Sequence, residues 1–406
     1  MHKKTIVFFL FLFIYLSIQS QNIKTVQLTP VNSNSFQPIV KLGNVLELSF
    51  DDLDADNKEY QYEIKHMTKD WKPSNLSPNQ YINGYEKDYI INTTNSFNTL
   101  QDYTHYTIRI PNDNTRITKS GNYLISIYDE DDEIVFTRRC IFYENLTTTG
   151  VAVFRSRDLK TSNTQQTVQL TLDHSSFSFT NANQEVNVAI FQNNDWSTLI
   201  SNLKPLFFKP NQLIYNYTDK TNFWGNNEYL NFDTKSIRNA NLNISHIEQK
   251  DLFNTYLYTN EPRATKLYSY NPDINGEFKI RSLEADDENT EADYSLVHFS
   301  LDASNISSDK NIFVYGSFNN YKTFEENKMT FNPTKDKYEC VILLKQGFYN
   351  YSFATVNKES KPNLHEINGS FYETENEYTA IVYYSGIGEI YDRVIGVGKG
   401  FFNQNR

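Results

Sequence analysis

Apolar and polar residues alternate with a period of two along much of this chain, the pattern of strands that bury one face. Tyr60, Tyr62 and Ile64 share one face of a run in which Gln61, Glu63 and Lys65 form the other. That run breaks at Trp71-Lys72-Pro73 and winds through Ser, Asn, Pro and Gly to Tyr85, a long polar loop anchored by aromatics. Leu46, Leu48 and Phe50 alternate with Val45, Glu47 and Ser49, and residues 103–110 form another strand pattern that Pro111 ends. Ser120-Gly121 turns into residues 124–128, an acidic turn covers 129–133, and 134–143 returns. Strands and turns at this spacing predict a β-sandwich.

A second block follows. Val168, Leu170 and Leu172 alternate, and Val186, Val188 and Ile190 lead to Trp196 and a loop bearing Pro205 and Pro210. Residues 213–217, 241–247 and 254–258 read as strands, with a turn-rich aromatic loop around Trp224. The acidic stretch 284–291 reads as a solvated linker or hairpin tip. Beyond it, Tyr338, Cys340, Ile342 and Leu344 share one strand face, Tyr349, Tyr351 and Phe353 another, and 379–384 is the last clear strand. The expected organisation is a signal segment at 1–20, sandwiches at 21–148, 149–290 and 291–395, and a flexible tail at 396–406. The fold class is all-β, with tandem Ig-like or fibronectin-like sandwiches.

Composition agrees with sheets: Tyr and Phe number 29 each against 3 Met and 14 Gly. The formal charge of −11 excludes a typical nucleic-acid binder, which needs clustered cations. Residues 1–20 have a secretory pattern, with Lys3 and Lys4 ahead of an apolar stretch at 6–16 that is too short to span a bilayer. A cut between Ser20 and Gln21 would leave a formal charge of about −13, and no cysteine follows for a lipid anchor. Cys140 and Cys340 each sit in a strand pattern, and two buried free thiols are expected.

Candidate chemistry is sparse. Asp52, Asp54, Asp56 and Glu63 fall at calcium-loop positions, but Asn57 stands where such loops have Gly, and Glu63 lies in a strand. A solvated acidic hairpin is the expectation. The histidines have no zinc-ligand spacing, and His105 reads as structural. No nucleophile elbow is present, and Gly396-Val397-Gly398-Lys399-Gly400 lacks the rest of a phosphate loop. Residues 314–321 and 345–353 resemble the early-set Ig-like domains related to glycogen-binding modules, with Tyr321 as the candidate sugar contact. That resemblance makes the last sandwich early-set-like and gives an alternative reading, a secreted polysaccharide-binding protein.

A longer series resembles the plug protein family of the type IX secretion system. It runs through Tyr60, Tyr62, Ile64 and His66, then Asp70-Trp71, Pro73, Tyr81 and Gly84, then Gln101-Asp102-Tyr103-Thr104-His105-Tyr106 and Ser120-Gly121-Asn122-Tyr123. It continues with Gln192-Asn193, Trp196, Leu203-Lys204-Pro205, Asn227-Glu228-Tyr229, Ile274-Asn275-Gly276, Ala292-Asp293-Tyr294 and Leu344-Lys345-Gln346-Gly347. One departure is Asn226, where the family tends to have Gly. The resemblance implies a periplasmic, non-enzymatic protein with no cofactor or metal. It would sit on the inner mouth of a giant outer-membrane translocon barrel and close it between substrates. Trp71, Tyr81, Tyr85, Trp196 and Trp224 are the expected partner-interface anchors, because large aromatics dominate interfaces. An outer-membrane barrel made by this chain itself is a third reading, disfavoured by the acidic linker and the polar C-terminal end.

Overall fold

The computed structural model describes residues 22–303, 306, 310–356 and 361–402. The signal-like segment and the last four residues lie outside the described residues. Nearly all of the regular secondary structure is strand, arranged in three β-sandwiches.

In the first sandwich one sheet has the order Ile23–Pro30, Leu46–Asp52, Thr104–Ile110, Asn92–Asn95. Its partner has the order Ile39–Lys41, Ile134–Tyr143, Gly121–Tyr128, Gln61–Met67, Lys87–Tyr89. The alternation seen in the sequence decides which side chains turn inward. Leu46, Leu48 and Phe50 meet Tyr62, Ile64, Tyr123 and Ile125 in one core. Cys140 lies in this core and Cys340 in that of the third sandwich, both as free thiols.

The other two sandwiches are not consecutive. One sheet of the second joins Thr148–Arg155, Gln165–Asp173, Gln212–Tyr215 and Phe207–Lys209, with Asn222–Trp224 also on Gln165–Asp173. Its facing sheet runs Asp195–Leu203, Val186–Gln192, Asn376–Tyr384, Arg393–Phe402. The chain leaves this sandwich after Trp224, builds the whole third sandwich, and returns to finish it. In the third, Gly347–Val356 pairs with Leu230–Asp233, Phe278–Ile280 and Asn311–Tyr315. The opposing sheet is Ile244–Gln249, Phe253–Leu257, Tyr294–Asp302, Lys337–Lys345, Thr330–Asn332.

This pairing departs from the linear division expected at 290 and 395. A boundary at 290 separates strands of one sheet, and 376–402 completes the second sandwich, not the third. From the pairing we propose sandwiches of 22–145, 146–225 with 370–402, and 226–369. The expected tail is also corrected over its described part. Arg393–Phe402 is a strand paired with Asn376–Tyr384 from end to end. Its glycines have a steric reason. A Cβ on Gly396 would lie 2.2 Å from Thr147 Oγ1, on Gly398 2.4 Å from the Thr149 carbonyl oxygen, and on Gly400 2.5 Å from Val151 Cγ1. Only bare backbone lets this strand lie so close to the segment Thr148–Arg155.

Val186–Gln192 is buried at every position. Val186, Val188 and Ile190 face the core of their own sandwich, while Ala189 and Phe191 pack with Ile141 of the first. Tyr378, Ala380 and Val382 against Ile381 and Tyr383 repeat the arrangement one strand over. A strand covered on both faces loses its polar alternation, which explains the apolar run Val188-Ala189-Ile190-Phe191.

Candidate functional site

The seam between the first and second sandwiches is built on a turn. Trp71 N–H donates to the Thr68 carbonyl at 2.9 Å and Thr68 N–H to the Lys72 carbonyl at 2.7 Å, closing the loop after Gln61–Met67. Trp71 sits at φ +59°, a left-handed conformation costly for a bulky residue. The turn aims the indole across the seam, where it meets Trp196 edge-on at 5.0 Å between ring centroids. Trp196 in turn stacks on Phe191 at 4.5 Å, and the Arg139 guanidinium lies 4.6 Å from the Trp71 ring. Lys69 N–H donates to Asp392 at 2.8 Å and Tyr383 Oη–H to Asn122 at 2.9 Å. Trp71 and Trp196, both partly buried, therefore brace two sandwiches of this chain against each other.

The first and third sandwiches share a buried charge cluster. Asp51 and Lys345 have side chains 0% and 1% exposed, and Lys345 Nζ donates to Asp51 Oδ2 at 2.8 Å. Tyr294 Oη–H donates to the same oxygen at 2.6 Å, and His105 Nδ1 donates to Oδ1 at 2.6 Å. Burial acts to raise the Asp51 carboxyl, but Lys345 and His105 outweigh it and hold it below the usual carboxylate range. His105, expected to be structural, is engaged here with a buried carboxylate. The acidic stretch belongs to this seam. Asp287 caps the short helix Glu288–Glu291, Tyr103 Oη–H donates to the Ala292 carbonyl at 2.9 Å, and Asp293 accepts from Leu100 N–H at 2.7 Å.

Second and third meet through polar groups. Tyr321, 8% exposed, donates its hydroxyl to the Asn193 carbonyl at 3.0 Å. Tyr315 donates to Asp195 at 2.8 Å, and Asn194 Nδ2 to Glu277 at 2.9 Å. Burial pushes the Glu277 carboxyl up to about 7. The crossing between these sandwiches holds Gly225 and Asn226. A Cβ on Gly225 would lie 2.0 Å from the Phe371 carbonyl oxygen, and Asn226 adopts φ +53°. Asn tolerates that region better than other residues with a side chain.

Of the remaining expected anchors, Tyr81 is corrected. It is buried in the first core, donating to Glu86 at 2.8 Å. Tyr321 is likewise too enclosed to stack on a sugar ring. Tyr85 and Trp224 are exposed, at 63% and 41%, with Trp224 stacked on His365 at 4.0 Å. Missed by the sequence reading is Leu206-Phe207-Phe208, an exposed apolar run on the edge strand Phe207–Lys209. Three large apolar residues in succession, between Pro205 and Pro210, were its signal. In the acidic hairpin, Lys58 Nζ pairs with Asp52 at 3.2 Å, Asp56 at 3.6 Å and Asp54, so a lysine occupies the middle of the calcium-like spacing. Among the described residues no group of three or more His, Cys, Asp or Glu is placed to hold a metal. No described helix is long and apolar enough to cross a membrane.

Residues 23–144, which are the first sandwich, match the family model for the first domain of the type 9 secretion system plug protein. The crystal structure of a hypothetical protein from Parabacteroides merdae ATCC 43184 is similar over nearly the whole fold. It is 32% identical, with a TM-score of 0.89, over 94% of this chain and 97% of that one. No curated protein matches the chain. With the first sandwich matched from end to end, the chain belongs to the type IX secretion system plug family through its first domain.

Proposed function

We propose that this protein is a non-catalytic gating subunit, closing the periplasmic end of the type IX outer-membrane translocon barrel while no substrate is being carried. The match of residues 23–144 to the plug family's first domain carries the reading. The seams support it physically. A stopper must resist deformation, and here each pair of sandwiches is joined by specific contacts: the partly buried Trp71–Trp196 pair, the buried Asp51–Lys345 cluster and the buried Tyr321 hydroxyl. Such a protein acts by fit and needs no reacting group. Exposed rings supply candidate contacts with the barrel, namely Tyr85, Trp224 and the edge strand at Phe207 and Phe208.

Deleting the gene should sensitise cells to large antibiotics when the translocon barrel is present and leave cells lacking the barrel unchanged. Sensitisation that persists without the barrel would sink the proposal. Replacing Phe207 and Phe208 together by Ser should reduce recovery of the barrel with the tagged protein while leaving the thermal midpoint in place. The polysaccharide alternative loses its assigned contact with the burial of Tyr321.

A further inference from the structure

Where the three sandwiches meet they line an open cavity of about 540 Å³, within the range of small-molecule sites. The first sandwich contributes Trp71, Arg138 and Arg139, the second Asn194, and the third Lys322 and Glu277. Among the described residues, none of the three cations has a carboxylate partner; the ion pairs of the chain use others. Arg138 Nη1 donates to the adjacent Thr137 carbonyl at 3.0 Å, and Arg139 lies against the Trp71 and Trp196 rings. The buried Trp71 Nε1–H has no acceptor among the described residues.

The cations also act on one another. Burial and the two arginines hold the Lys322 ammonium below its usual range, and burial brings Arg138 to about 10. The cavity's carboxyls are already engaged. Asp195 accepts from Tyr315 and from the Ser197 N–H, and Glu277 accepts from Asn194. Arg138 is half-buried and Arg139 and Lys322 are exposed, and three cations gathered at one cavity without a carboxylate partner repel one another. An anion between them offsets that repulsion, and guanidinium groups match phosphate and carboxylate oxygens in pairs.

We propose that this cavity binds a small multivalent anion, phosphorylated or polycarboxylated, held by Arg138 and Lys322 with Trp71 Nε1–H as a further donor. A second cavity of about 1370 Å³ shares Arg138 and Lys322 and is lined by Asp54, Asp129, Glu130 and Asp131. Those acids repel a long polyanion approaching the same cations, which restricts the ligand to a small one. The proposal is independent of the gating role.

The test is calorimetric titration of the full chain at low salt, with inorganic pyrophosphate in one arm and citrate in the other. Saturable one-to-one binding in either arm is expected, and the arm that binds identifies the class. Arg138→Gln and Lys322→Gln should each weaken it roughly tenfold or more. Both ligand-free variants should melt no lower than the parent, because each has lost an unpaired cation. Lys322→Gln decides the matter if Arg138→Gln does not fold. Lys328→Gln, removing an exposed cation paired with Glu325, should leave binding unchanged. Binding in neither arm, or binding that Lys322→Gln leaves intact, overturns the assignment.

Discussion

Trp71 shows how a side chain's neighbours decide its meaning. A tryptophan in a polar loop looks like an outward anchor, yet a left-handed backbone turns it against Trp196 and Arg139. Trp71→Ala should therefore cost roughly 2–4 kcal/mol in denaturant unfolding. Tyr85→Ala, removing a ring that is 63% exposed, should stay within about 0.5 kcal/mol. Glu277 gives a pH dependence. Its carboxyl is raised from 4.5 to about 7 by burial in the folded protein, so the folded state holds the proton more tightly than the unfolded one. Its contribution to stability is fully present below about pH 4.5 and is lost as pH rises through about 7, a difference on the order of 3 kcal/mol. Glu277→Gln should stay neutral throughout, so its melting temperature relative to the parent should rise between pH 5 and pH 8. A constant difference would mean that Glu277 does not titrate there.

Among the elements, strands with one wet face were legible in the sequence, because alternation records which side chain meets water. Gln61–Met67 and Lys337–Lys345 read directly. Strand partners did not, since period-two patterning says nothing about which sheet a strand joins. The final strand was misread for a specific reason. Gly396, Gly398 and Gly400 have no side chains to display alternation, although their spacing was itself the period of two. Gly398→Ala should cost roughly 1–3 kcal/mol by forcing the strand away from the Thr149 carbonyl. Replacing the exposed Phe401, on the same strand, should cost little. Of the candidate site, sequence supplied the aromatic residues but not their exposure. Tyr81, Tyr321 and Tyr85 are the same chemical type, and only packing separates the buried two from the exposed one.

Across the molecule, stability and shape depend on the seams. Lys345→Met should leave Asp51 as a buried charge deprived of its lysine, a loss of about 3–5 kcal/mol. Asp51→Asn with Lys345→Met should recover much of it, measured by the same unfolding curves. The interrupted second sandwich has a different kind of consequence. Two of its strands, Asn376–Tyr384 and Arg393–Phe402, emerge during synthesis after every residue of the third. Domains fold as they emerge, so the first sandwich can form at once, while the second waits with Val186–Gln192 uncovered along one edge. A chain ending at residue 375 should keep a protease-resistant first sandwich and lose residues 146–225 to limited proteolysis. A product cut short before residue 376 therefore displays an open, apolar sheet edge of the kind that invites degradation, and a chain that carries Asn376–Tyr384 hides it.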